Sequence, residues 1–232
     1  MSQFKKILLF GDSITEFAYT TAPFSLGAGL SNVYTRKLDI LHRGYAGYNS
    51  RWAIKVLKDI LNDPTSKDIV IATIFFGAND SCLGGEQKVP LEEYLQNMKQ
   101  LASMLQECGI KPIFVGLGLF NRELWEVIKV EDVEMGRIRT SDNLQLYSNS
   151  LKKLAQENNI PFLDLHEVFT KRGGDNWKEL LTDGLHFSSS GYQIWYDELL
   201  AAINENYPEF HPDNMTMQYP LWRDVKEDMS NL

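Results

Sequence analysis

Five short apolar runs, at residues 7–10, 38–42, 69–76, 112–115 and 160–165, are spaced through the chain and bounded by Gly, Pro or polar residues. Each is nearly continuous in apolar character, as strands covered on both faces are, with no wet side to impose alternation. Between them the period lengthens to that of a helix. Residues 50–61 place Ala53, Val56, Leu57, Ile60 and Leu61 on one face. Residues 90–109 place Leu91, Leu95, Met98, Leu101, Ala102 and Leu105 together, with Pro90 at the start, acids in the first turn and Gly109 as a stop. The pattern returns in residues 140–159, through Leu144, Tyr147, Leu151, Leu154 and Ala155. It returns again after Ser188, through Ile194, Trp195, Leu199, Ala202 and Ile203. Strands and helices in this order close as a parallel sheet between helices, joined by right-handed crossovers. The expected fold is α/β, a three-layer α/β/α sandwich around a central, mainly parallel five-stranded sheet.

The 232 residues contain no Pro/Ser-rich linker, charge block or internal repeat, so residues 1–232 are expected to form a single domain. Residues 117–140 fit no strand or helix unit and read as a partly helical excursion over the carboxyl edge of the sheet. Residues 207–232 read as a C-terminal tail packed on the surface or at a dimer interface. The longest apolar run, residues 69–78, is too short to cross a bilayer. The lysines before the first run are followed by no small-residue cleavage site, so that segment reads as a strand and the protein as soluble and cytoplasmic. Cys82 and Cys108 form no CxxC pair, which suits reduced thiols. A net charge of −8 argues against a nucleic-acid partner. The terminal Ser230, Asn231 and Leu232 resemble a peroxisomal S-K-L address with Asn at the basic position.

The first run breaks off on Gly11, Asp12 and Ser13. One reading makes Asp12 or Ser13 a helix cap; the other holds Ser13 at the carboxyl end of a strand, where open α/β sheets build their sites. A nucleophile needs a base, a group to orient that base and donors for an oxyanion. Asp183 and His186 stand three apart in a loop before the last helix, close enough for one carboxylate to accept from Nδ1 of the imidazole whose Nε2 faces Ser13. The second run leads into "RGYAGYNS" and the third into "FFGANDS". There the Gly47 amide and the Asn79 side chain can join the Ser13 amide as three donors for one oxygen, whereas Gly44 is read as turn chemistry. Phe17, Tyr19, Tyr48 and Trp52 are candidate pocket walls, and Cys82 is read as buried filler that could line the site.

"GDSIT", the glycine of "GYAGYNS", "GAND" and "DGLHFS" resemble, in order and spacing, the four blocks of the GDSL esterases, also called SGNH hydrolases, over roughly residues 7–196. The resemblance implies a flavodoxin-like fold and Ser13 as nucleophile. It also implies Ser13, Gly47 and Asn79 as the oxyanion hole, Asp183 and His186 as the rest of the triad, no metal and no cofactor. "YTRKLDILHRGYAGYNSRWA" and the tail "YPEFHPDNM" look like the isoamyl acetate-hydrolysing subgroup of yeasts. That likeness implies small acetate esters as substrates and a homodimer. Carbohydrate O-acetyl esters, lipids or thioesters, and a binding module without catalysis, are the alternatives. A metallophosphoesterase would need a second acid beside "GDSIT" and a G-N-H run, which are lacking although Asp164 and His166 form a D-x-H pair. "GLGLFN" lacks the third glycine of a dinucleotide fingerprint and reads as a loop. His42, His166 and His211 read as packing or surface residues.

Overall fold

In the computed structural model, which describes residues 4–21 and 23–232, the apolar runs form β1 (Lys5–Gly11), β2 (Leu38–Gly44), β3 (Ile69–Phe75), β4 (Lys111–Val115) and β5 (Phe162–Leu163). They make one sheet of order β2-β1-β3-β4-β5 in which every pairing is parallel. The helices are α1 (Ser13–Glu16), α2 (Leu26–Val33), α3 (Ser50–Asn62), α4 (Leu91–Glu107), α5 (Arg122–Ile128), α6 (Val130–Glu134), α7 (Ser141–Glu157), α8 (Leu165–Gly173) and α9 (Ser189–Asn206). On one side α4 packs between α3 and α7; α9 packs with α2 and α8. Ile7, Leu8, Leu9 and Phe10 of β1 are all fully buried, so successive side chains on opposite faces are both covered, which explains the missing alternation. Each such side chain contributes about 1.5–3 kcal/mol by leaving water.

The register fixes where loops emerge. Gly11 at the end of β1 lies level with Gly44 of β2 and with Phe75 of β3. The loops that follow therefore leave the carboxyl edge side by side. β1 and β3 are adjacent although the chain visits β2 between them, which makes their boundary the switch point at which such sheets bind ligands.

Several sequence expectations need correction. The fifth strand is two residues long, not six, because Asp164 leaves the ladder to accept from the Glu167 amide and cap α8. β2 is an edge strand and only half-buried over most of its length. α2 has no clear signature in the sequence because it is short and carries Gly27 and Gly29, which weaken a helix pattern. In α4, Tyr94 is fully buried, whereas the expected core residues Leu91 and Leu95 are only partly so. Gly44 serves close packing and not a turn: a Cβ there would sit 2.1 Å from the Glu16 backbone nitrogen. Residues 116–121 are a loop, and residues 117–140 include α5 and α6. The tail lies against the end of α2. The Tyr34 hydroxyl donates to the Phe210 carbonyl (2.9 Å), Lys37 Nζ to that of Pro212 (2.6 Å), and Arg36 Nη2 to those of Tyr219 and Pro220 (2.7 Å each).

Candidate active site

β1 ends at Gly11, and Asp12 turns the chain into α1 by accepting from the Ile14 amide at 3.0 Å. The cap is thus Asp12, and Ser13 is the first residue of the helix. The two readings of "GDS" are compatible: Asp12 makes the turn that leaves Ser13 at the carboxyl edge.

From the other end of the chain, the loop before α9 is closed by the Thr182 amide donating to the His186 carbonyl (2.8 Å) and by a bridge between Leu181 and Phe187. Within it Asp183 Oδ1 accepts from the amides of Leu185 (3.1 Å) and His186 (2.9 Å). Its Oδ2 lies 2.7 Å from His186 Nδ1, and His186 Nε2 lies 2.8 Å from Ser13 Oγ. With the proton on Nδ1, where the carboxylate accepts it, Nε2 is free to accept from the serine hydroxyl. Burial opposes ionisation of Asp183, but the imidazole and the two amides outweigh it and bring its pKa down to about 2. Phe17 and Trp125 flank the imidazole, with ring centroids 4.9 and 5.9 Å away.

The loop after β2 is tied to α1 by the Ala46 amide, which donates to Glu16 Oε2 at 2.6 Å. One residue on, Gly47 has φ +79°, a conformation that side chains rarely adopt. In the loop after β3, Asn79 donates from Nδ2 to the Tyr48 carbonyl (2.8 Å), which leaves its second N–H uncommitted.

Ser13, Gly47, Asn79, Asp183 and His186 border one cavity of about 340 Å³, together with Phe17, Gln87, Trp125, Lys129 and Arg139. Of the four aromatic walls expected, only Phe17 borders it. Tyr19 packs on His42 instead (4.6 Å), and Tyr48 and Trp52 form an edge-on pair at the surface. Cys82 is fully buried and does not border the cavity. Asp164 caps α8 and accepts from Lys152 Nζ at 2.8 Å. His42 Nε2 donates to the Thr15 carbonyl (2.7 Å), and His211 Nδ1 accepts from the Asp213 amide. Sequence reasoning missed Gln87, Trp125, Lys129 and Arg139. Three of them lie in residues 117–140, whose one sequence signal was its failure to fit a strand–helix unit.

Two further acids lie beneath the site without bordering the cavity. Asp12 and Asp80 are fully buried, and burial raises their pKa values to about 7 and about 6. Unfolded, an aspartate ionises near about 3.9, so between roughly pH 4 and 7 the folded chain holds a proton on Asp12 that the unfolded chain has released. Stability contributed by this group therefore falls as pH rises through that window. Asn in place of Asp12 keeps an oxygen for the Ile14 amide and has no proton to lose. The melting temperature of Asp12→Asn relative to wild type is expected to climb from pH 4 to pH 7; parallel curves would refute it.

A sheet of order 2-1-3-4-5 whose first loop offers a serine to a histidine before the last helix defines an acyl-hydrolase architecture. The GDSL-like lipase/acylhydrolase family model matches residues 9–194. The chain belongs to that family and is a carboxylic ester hydrolase. It is 50% identical to the isoamyl acetate-hydrolyzing esterase of Saccharomyces cerevisiae, over 99% of this chain and 98% of that one. It is 33% identical to the human isoamyl acetate-hydrolyzing esterase 1 homolog, over 96% and 88% of the two chains. Among solved structures, a lipase/acylhydrolase from Enterococcus faecalis superposes with a TM-score of 0.68 at 19% identity, covering 93% of this chain and all of that one.

Proposed function

We propose that the protein hydrolyses acetate esters of small alcohols through an acetyl-enzyme on Ser13. The observation that carries this reading is the unbroken line from Asp183 Oδ2 through His186 to Ser13 Oγ, at 2.7 and 2.8 Å, opening on one cavity. His186 Nε2 takes the hydroxyl proton as Oγ bonds to the ester carbonyl carbon. The carbonyl oxygen becomes an oxyanion facing the amides of Ser13 and Gly47 and the free N–H of Asn79. Collapse breaks the bond to the alcohol oxygen, which leaves with the proton from His186. Water then attacks the acetyl group, His186 takes its proton, and acetate departs as Oγ regains a hydrogen. Asp183 holds the imidazole in the productive tautomer and stabilises its charged form.

A cavity of about 340 Å³ lies at the lower end of small-molecule sites, about 300–1,000 Å³, and suits a short acyl chain. The yeast relative, 50% identical and named for isoamyl acetate, supports the same choice. Hydrolysis of isoamyl acetate and of p-nitrophenyl esters from acetyl to octanoyl tests it. We expect kcat/KM to be highest for acetyl and to fall with chain length; a maximum at hexanoyl or beyond would contradict the acetate reading.

We place the enzyme in the cytosol, supported by two unpaired cysteines in a chain that carries no long apolar helix among its described residues. We take it as a homodimer, in which exposed apolar tail residues such as Trp222, 79% exposed, have something to cover them.

A further inference from the structure

We propose that Arg139 is a positioning residue for the oxyanion hole, in which one buried guanidinium holds the Asn79 amide and the Gly47 loop in a fixed relation to Ser13. The inference rests on the reading of Asn79 and Gly47 as oxyanion donors.

Arg139 lies just ahead of α7, only 3% exposed, and its fork reaches three acceptors. Nε donates to the Ala78 carbonyl at 2.9 Å, and Nη2 donates to Asn79 Oδ1 at 2.8 Å and to Gln87 Oε1 at 3.2 Å. Gln87 Nε2 in turn donates to the Gly47 carbonyl at 2.9 Å. Loops that leave the sheet after β2 and after β3 are thereby fastened to one cation contributed by a third segment.

The consequence for Asn79 is directional. Its carboxamide offers an oxygen on one side and two N–H groups on the other. Arg139 has only donors, so the oxygen must face it, and a flipped amide would set donor against donor. The amide nitrogen is thus turned away from the guanidinium, with one hydrogen on the Tyr48 carbonyl and the second available to an oxyanion. A cation on Oδ1 also draws electron density from the amide and makes that second N–H a stronger donor.

Packing does not account for an arginine here. Its Nη1 is buried without a hydrogen-bond partner among the described residues, and burying a charge costs stability that a side chain placed for packing alone would not incur. The Trp125 ring, with its centroid 5.0 Å from the guanidinium carbon, offsets part of that cost and is the same ring that flanks His186.

The test is a double-mutant cycle on hydrolysis of p-nitrophenyl acetate. Removing an oxyanion donor costs about 10²–10³ in kcat, and this is the loss expected for Asn79→Ala, with KM little changed. Arg139→Gln is expected to lower kcat by about 10–10², below that ceiling, again with KM within about twofold. In the Asn79→Ala background the same substitution is expected to cost a clearly smaller factor than in the wild type, because only the Gly47 arm is then left for it to position. Arg139→Lys keeps the charge but cannot reach all three acceptors, so it should restore only part of the rate. Equal losses in both backgrounds, full activity in Arg139→Lys, or a raised KM at unchanged kcat would overturn the proposal. If the Arg139 variants do not fold, Gln87→Ala carries the test through the Gly47 arm: lower kcat at constant KM supports it and unchanged kcat overturns it. Full activity in Asn79→Ala would instead defeat the oxyanion reading itself, whereas loss in Asn79→Ala with full activity in Arg139→Gln would defeat this inference alone.

Discussion

Alanine at Ser13 is expected to lower kcat for p-nitrophenyl acetate by about 10⁶, the loss seen when a serine hydrolase is stripped of its nucleophile. The chain should still fold. Ser13 Oγ is bonded to His186 alone among the described side chains, and the cap of α1 comes from Asp12. Removing the hydroxyl therefore deletes the reacting atom and leaves the turn intact. The residue of activity would be that of the oxyanion donors and the bound water, about 10³–10⁴ above the uncatalysed rate. A Ser13→Ala enzyme that keeps its melting temperature and retains more than a hundredth of wild-type turnover would contradict the assignment.

Asn in place of Asp183 is expected to cost about 10⁴ in kcat. The substitution keeps an oxygen for the amides of Leu185 and His186, which shape the loop. What changes is the atom at the imidazole. An amide NH₂ facing Nδ1 donates where the carboxylate accepted, so it favours the tautomer with its proton on Nε2, and Ser13 then loses its acceptor. In the wild type, kcat/KM should show a falling limb on the acid side, since a general base accepts a proton only in its neutral form. That limb does not belong to Asp183, whose carboxyl stays ionised down to about pH 2. Because the folded value is depressed, the stability that Asp183 contributes is present above the unfolded value near about 3.9 and is lost as pH falls through about 2. Steady-state rates across pH for both proteins, with EDTA present, decide the matter. Full activity in Asp183→Asn, or loss of wild-type activity to the chelator, would mean that the acid–base chemistry lies elsewhere.

The parts of the fold visible in the sequence were those in which one physical cause dominates. The core of β1 and β3 is buried on both faces, so Ile7, Leu8, Ile71 and Ile74 read as unbroken apolar runs. α7 and α9 are amphipathic over four turns or more, and their caps, Thr140 and Ser188, are residues that favour that position. Weaker cases failed for definite reasons. β5 is held by its neighbour β4 over only two residue pairs, a fact of tertiary pairing that leaves no local period. Nearness in sequence to Gly47 suggests a place for Tyr48 and Trp52 at the pocket, but α3 begins at Ser50 and carries Trp52 away from the cavity. The candidate chemical groups are legible because their motifs combine residue types that packing alone does not require; the aligned ends of β1, β2 and β3 bring Ser13, Gly47 and Asn79 together, and the loop before α9 adds Asp183 and His186. Arg139 was invisible for the converse reason. An arginine in an unassigned segment is ordinarily solvent-exposed, and only the fold buries this one against Asn79.

The measurement closest to the central claim is site mapping of a fluorophosphonate adduct by mass spectrometry of the digested protein. Such a probe forms a bond from phosphorus to the activated oxygen and expels fluoride, leaving a tetrahedral group in the place of the oxyanion intermediate. The account predicts a single adduct on the peptide that contains Ser13. It also predicts that labelling disappears in Ser13→Ala and slows in Asp183→Asn and Asn79→Ala. An adduct on another serine, or no adduct from an enzyme that is turning over ester, would contradict it.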